Sequence, residues 1–257
     1  MAQVIVLAAL AVFIYMTMIF ILALAKKNNG VVDIAWGLGF ILVGWIVFLR
    51  YGQGHPRQWL ALTLVLIWGG RLAWHIFRRN RGKEEDFRYA AWRRQWGNYF
   101  VIRSFAQIYM LQGLLLLLVI FPVLLIAGQA QPSLNFLDGL GLLVWLTGFL
   151  FETVGDRQLA AFIRDPAHKG KIITTGLWRY SRHPNYFGEA ALWWGLGIIA
   201  LPAPNGWLGL IGPLVITFLL LFISGVPLLE KKYSGRPDWE EYKKRTSVFV
   251  PWFPKRP

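Results

Sequence analysis

Between Arg179 and Trp194 the chain reads RYSRHPNYFGEAALWW, setting two arginines, a histidine, an asparagine and a glutamate against the start of an apolar segment. Pro184 suits the first turn of a helix, where its missing N–H would have no partner in any case. A helix that starts there puts Asn185, Glu189 and Trp193 at i, i+4 and i+8, on one face. A carboxylate one turn inside an apolar helix is costly unless it has a partner. One reading is a basic collar whose glutamate caps the helix start. The sharper reading is a polar cluster that holds a phosphate-bearing cofactor at the cytoplasmic rim of a membrane bundle.

Upstream, GFLFETVGDRQLAAFIRD supplies Glu152, Asp156 and Arg164. Two carboxylates at i, i+4 repel unless they accept bonds from ribose hydroxyls or arginine. A guanidinium is planar and bidentate toward phosphate, and fits it better than an ammonium. Arg164, Lys171, Arg179 and Arg182 beside such acids suit a dinucleotide, with acids for ribose and bases for phosphate. His183 and Tyr186 of the motif, and Tyr242 of a C-terminal amphipathic tail, complete the expected cofactor-binding set.

A second chemistry-bearing position is Asp33, in VVDIAWGLGF. A protonated carboxyl in an apolar cavity donates a hydrogen bond to a substrate carbonyl, whereas an interfacial aspartate only caps its helix. Arg71 either snorkels to the basic end of its helix or pairs with Asp33. His75 has no second ligand at metal spacing, so no metal site is expected. Asn80-Arg81-Gly82-Lys83 reads as a loop that closes on a ligand. The rest of 78–103 reads as an interfacial helix, and Tyr109 and Gln112 as bonding between helices.

The elements that must position these groups are apolar. Hydrophobic residues make up 56% of the chain and its mean hydropathy is +0.46, beyond an ordinary soluble domain. Seven runs approach the ~20 residues a spanning helix needs: 4–25, 31–49, 59–77, 105–127, 136–155, 186–201 and 207–229. The expected fold is therefore all-α, a polytopic bundle of seven transmembrane helices forming one domain. Helices 1–4 would lie in 1–127, and helices 5–7 with the tail in 128–257. The first run lacks a basic start and a cleavage site, and reads as a retained helix.

The net charge of +14 belongs to this topology more than to nucleic acid. With seven crossings, every Lys and Arg except Arg50, Arg57 and Arg71 falls on one side. The positive-inside rule then puts the N-terminus outside and the C-terminus in the cytoplasm, and anionic lipid heads attract the excess charge. Cysteine is absent, which excludes disulfides, thiolate nucleophiles and cysteine-bound metals.

RHPNYFGE (182–189), the preceding GLWRYS and the tail ending in VPWFP resemble the steroid 5-alpha-reductase and isoprenylcysteine methyltransferase superfamily. Asp33–Trp36 and the stretch from Asp156 to Glu189 are most similar to the bacterial branch related to steroid 5-alpha-reductases. The resemblance spans most of the chain and is strongest from about 150 to 250. It implies a seven-helix bundle whose C-terminal helices hold NADPH and whose first four helices form a lipid-open steroid cavity. By matching position, Asp156, Asn185, Glu189 and Trp193 contact the cofactor; Arg164 and Lys171 match more loosely. Asn80-Arg81-Gly82 resembles the family's cofactor-reaching loop. The reductases polarise the 3-oxo group with a Glu on the second helix and a Tyr on the third. Here Asp33 stands near the Glu, while the third span carries no Tyr and offers Trp68, Arg71 and His75 instead.

The resemblance implies NADPH-dependent reduction of a 3-oxo-Δ4 steroid or similar lipophilic enone, with Asp33 stabilising the enolate. It also implies a monomer in the bacterial inner membrane, its cofactor site on the cytoplasmic side. Two alternatives stand beside it: an S-adenosylmethionine-dependent methyltransferase, since the RHPxYxG signature is shared, and a non-catalytic lipid-binding protein.

Overall fold

The computed structural model describes residues 1–255, Phe87 by its backbone alone. The regular elements among the described residues are all helices; their one β-bridge is the isolated parallel pair Ser181–Ser247. They divide into two compact units, Met1–Asn135 with Ala200–Ile211, and Phe136–Ile199 with Gly212–Pro257.

The first unit opens with α1 (Ala2–Lys26), α2 (Val31–Tyr51) and α3 (Pro56–Asn80). α1 is apolar all round. It buries Val4, Ala8, Val12, Met16 and Phe20 and exposes Leu10, Phe13, Met18 and Ile21, the pattern of a helix whose outer face meets lipid. α2 and α3 touch where Gly37 meets Gly69: a Cβ added to either would lie 2.6 Å from the other's carbonyl oxygen. This contact sits four residues past Asp33 and fixes the helix that carries it.

Beyond α3, Asp86 caps α4 (Phe87–Trp96) by accepting the Arg88 N–H at 3.0 Å. A 3₁₀ turn leads to α5 (Phe100–Ser104), a π-helical stretch (Phe105–Met110), α6 (Leu111–Val119) and α7 (Phe121–Ala127). The expected fourth span, 105–127, is corrected here. The membrane-length path runs Arg88–Val119, and the helix breaks at Ile120 because Pro122 opens a new one. Much of the segment expected to lie flat at the interface is therefore the entry to the fourth helix.

The second unit holds α8 (Phe136–Arg164), α9 (Pro184–Ala200), α10 (Ile211–Phe218, of which Ile211 belongs to the first unit), α11 (Val226–Tyr233) and α12 (Pro237–Arg245). α8 continues past the expected end at Gly155 to Arg164, because DRQLAAFIR contains no breaker. α9 starts at Pro184 and α12 at Pro237, as proline at a first turn predicts.

Among the described residues, six helices are long and apolar enough to cross a membrane: Ala2–Lys26, Val31–Tyr51, Pro56–Asn80, Arg88–Val119, Phe136–Arg164 and Gly206–Tyr233. With their exposed apolar faces they mark an integral membrane protein. The expected count was seven. α9, the remaining candidate, has 17 residues, about 26 Å at 1.5 Å per residue against a hydrocarbon core of about 30 Å. None of its residues is exposed.

Glycine lets α9 lie directly against α8. Gly141, Gly148 and Gly155 recur every seven residues on α8 and meet Gly195, Gly188 and Asn185 on α9 in antiparallel order. An added Cβ at Gly141 would fall 2.6 Å from the Gly195 oxygen, and one at Gly148 would fall 2.5 Å from the Gly188 oxygen. Such small-residue seams let helix backbones approach closely in a membrane. The seam ends where Gly155 meets Asn185, and so delivers Asp156 to the first turn of α9.

Candidate functional site

At the end of that seam, Asn185 Nδ2 donates to Asp156 Oδ1 at 3.1 Å. The Asn185 side-chain oxygen is buried and has no hydrogen-bond partner. One turn earlier on α8 (three residues before Asp156), the Thr153 hydroxyl is buried and likewise unpartnered. Buried polar atoms are nearly always satisfied, so this corner has hydrogen-bonding capacity the protein itself does not use. Glu189 lies one turn further along α9, half-buried, and Trp193 one turn beyond that, fully buried.

The loop before α9 is fastened from every neighbouring element of its unit. From α8, Gly155 O accepts the Trp178 indole N–H at 3.2 Å and Gln158 Oε1 accepts the Leu177 N–H at 2.9 Å. From α12, the Tyr242 hydroxyl donates to the Trp178 carbonyl. Burial pushes the Tyr242 phenol well above its usual range, which keeps that donor protonated. From the tail, Ser247 O accepts the Arg182 N–H at 2.8 Å, Phe249 O accepts the Ser181 hydroxyl at 2.8 Å, and the Trp252 N–H donates to Tyr180 O at 2.9 Å.

Arg182 is committed to the same task. Its Nη1 donates to Thr246 O at 2.7 Å and its Nε to Glu230 Oε1 at 2.8 Å. His183 is buried, with Nε2 3.5 Å from Glu230 Oε1 and its ring stacked on Tyr186 at 5.6 Å. Of the residues expected to grip a cofactor, Arg182 and Tyr242 thus spend their polar atoms on the loop. Arg179 and Lys171 are exposed. Arg164 is not gathered in: it is exposed at the end of α8, and its Nε donates to its own helix at Ala160 O, 3.1 Å away.

The first unit carries a separate polar centre. The Tyr89 hydroxyl donates to Asp33 Oδ1 at 2.7 Å, and Arg88 Nη2 lies 3.8 Å from Asp33 Oδ2. Gln112 hydrogen-bonds the same Tyr89 hydroxyl. Both of these partners of Asp33 come from α4, and Gln112 of α6 reaches the pair through Tyr89. Tyr89 was missed because it stands in the arginine-rich stretch beyond the third helix. The signal available was the spacing of Tyr89, Trp92, Trp96 and Phe100, whose rings follow one another along α4 and into α5, edge-on, stacked and tilted in turn.

Beside this centre, Tyr109 donates to Asn29 Oδ1 at 3.0 Å, and Glu85 accepts from Arg93 at 2.8 and 3.0 Å and from the Asn29 N–H at 2.8 Å. Burial alone would raise the Glu85 pKa. The Arg93 and Asn29 hydrogen bonds outweigh it and hold the carboxyl below the usual range. Asn80 ends α3 in this unit, Arg81 follows it exposed, and Gly82 turns the chain at φ 74°. Among the described residues, no cluster of His, Cys, Asp and Glu could hold a metal.

The family model described as "Protein of unknown function (DUF1295)" matches residues 19–246, nearly the whole chain and both polar centres. The chain belongs to this family. The family is part of the steroid 5-alpha-reductase-like group. Among curated proteins, the chain is 25% identical to an uncharacterized protein of Schizosaccharomyces pombe, covering 88% of this chain and 73% of that protein. It is 33% identical over 119 residues to human 3-oxo-5-alpha-steroid 4-dehydrogenase 1, covering 46% of this chain and 42% of the human protein. The chain thus spans well under half of the human enzyme's length. No solved structure matches.

Proposed function

We propose that this membrane protein is an NADPH-dependent reductase of a lipophilic enone of the 3-oxo-Δ4 steroid class. The observation that carries the proposal is the buried, unpartnered Asn185 oxygen beside Asp156. Two adjacent acceptors at one rim fit the hydroxyl and amide donors of a dinucleotide, and the likeness to a steroid dehydrogenase names the kind of chemistry.

In this reading Asp156, Asn185 and Glu189 accept hydrogen bonds from the cofactor, and Trp193 backs them with an apolar wall. Arg179 and Lys171 extend exposed cations to its phosphates. Arg182, His183, Tyr186 and Tyr242 hold the loop in shape. Asn80 and Arg81 keep the role that the Asn-Arg-Gly likeness gives them. NADPH supplies the hydride for the β-carbon of the enone. With Asp33 protonated, its O–H would donate to the Tyr89 oxygen in place of accepting from it, which frees the Tyr89 hydroxyl to donate to the enone oxygen and stabilise negative charge as it develops there. Asp33 holds the proton that returns to the α-carbon. α9 is assigned as a seventh crossing, with the C-terminus in the cytoplasm, because that arrangement keeps all cations except Arg50, Arg57 and Arg71 on one side.

The test is incubation of the detergent-purified protein with NADPH and progesterone, followed by mass. The expected product is heavier by about two mass units, hydride plus proton on one double bond. NADPH consumption without that gain contradicts the proposal. Protection against heat by S-adenosylmethionine and not by NADPH would assign the site to methyl transfer instead.

A further inference from the structure

We infer that residues 248–253 form an anchor in the membrane interface, and that the end of α12 recognises anionic phospholipid headgroups beside it. This inference does not depend on the reductase reading. The segment bends through 248–250 and then runs without regular structure to Lys255. Two of its neighbouring carbonyls are tied to the loop before α9: Ser247 O accepts the Arg182 N–H and Phe249 O accepts the Ser181 hydroxyl, and the Phe249 ring is buried against Phe187. Around that buried ring, Val248, Val250 and Trp252 are 40%, 58% and 71% exposed, followed by Phe253 at 77%.

These backbone bonds, with that of the Trp252 N–H to Tyr180 O, hold the exposed apolar side chains in place beside the loop. An aliphatic and aromatic stripe of this kind is unfavourable in water and suits the headgroup boundary, where tryptophan concentrates.

Its surroundings name the occupant. Lys243, Lys244 and Arg245 close α12 immediately before the stripe, and the Lys255 N–H donates to Arg245 O at 3.0 Å, bringing a fourth cation to the same end. Lys243 and Arg245 are also ion-paired to Glu240 and Glu241 of the same helix, so this end carries less than its four formal charges; cations rimming an apolar patch still match a bilayer with negative headgroups, at about 1 kcal/mol per unbalanced basic residue near such a surface. The position agrees: α12 begins at Pro237, a short turn after the candidate span ends at Tyr233.

The chain has no cysteine, so a single introduced thiol takes a spin label at one site. Trp252→Cys and Phe253→Cys, both at exposed positions, are labelled in the full-length protein and compared with Thr174→Cys on an exposed loop of the same unit. The protein is reconstituted into vesicles of phosphatidylcholine alone and of phosphatidylcholine with phosphatidylglycerol. Collision with apolar oxygen and with a water-soluble nickel chelate reports depth.

The expected result is oxygen-favoured collision at 252 and 253, chelate-favoured collision at 174, and deeper labels with phosphatidylglycerol. Lys243→Gln, Lys244→Gln and Arg245→Gln together remove that lipid dependence. Chelate-favoured collision at 252 and 253 in both vesicles overturns the inference. So does a label immobilised and shielded from both reagents, which would mean that protein covers the stripe. Equal depth in the two vesicles overturns the headgroup recognition.

Discussion

The two polar centres are built on opposite principles. In the first unit, Asp33, Tyr89 and Gln112 come from three helices and satisfy one another: the phenol donates to the carboxyl at 2.7 Å and the amide bonds the phenol. In the second unit, a seven-residue glycine repeat presses α8 against α9, and the pair it delivers keeps an acceptor in reserve at Asn185. A self-satisfied pair can hold a proton in place without ligand. A reserved acceptor is stabilised only by a donor from outside. In the proposed reading, that difference separates a centre for chemistry from a centre for binding.

That division can be broken most strongly at Asp33. Asp33→Asn removes the proton reservoir, and kcat for enone reduction should fall by about 10²–10⁴ while NADPH affinity stays unchanged. Loss of NADPH binding in this variant would merge the two roles. Tyr89→Phe removes one donor to the developing oxyanion, with an expected loss in kcat of about 10², again without change in cofactor affinity.

Asn185→Ala probes the other side of the comparison. It removes the reserved acceptor and should raise the NADPH Kd roughly tenfold, the equivalent of one hydrogen bond of ~1.4 kcal/mol, with kcat at saturation much less affected. The smallest effect is expected where neither centre is touched. The Glu85 carboxyl is held below its usual range, so its stabilisation is present above the ordinary carboxylate pKa and is lost as pH falls through the folded-state value. Glu85→Gln should cost about 1 kcal/mol near neutral pH and flatten the acid limb of a denaturation series, while both centres keep their functions.

Much of the binding centre is visible in the sequence because its residues are local. Pro184 fixes where α9 starts, and the helical period then aligns Asn185, Glu189 and Trp193. Asp156 needs only the glycine seam to reach them. What the sequence cannot separate is an arginine left exposed from one that ties a loop: Arg179 and Arg182 are the same residue type three positions apart, and only the carbonyls around Arg182 reveal its task. The chemical centre is less visible because its partners are far apart in the chain. Tyr89 reaches Asp33 across 56 residues, and the charges around it mask the aromatic spacing that makes α4 a helix. Length alone does not count α9 as a span, since its 17 residues fall short of the usual criterion.

The most direct test of the central claim, that Asp156 and Asn185 face a dinucleotide, is the heat stability of the detergent-purified protein titrated with NADPH, for the wild type and for Asn185→Ala. Saturable protection of the wild type is predicted, about 2.7 kcal/mol at a hundredfold excess over Kd, with the Asn185→Ala curve displaced to higher concentration. Absence of protection by NADPH, or identical curves for the two proteins, would contradict it.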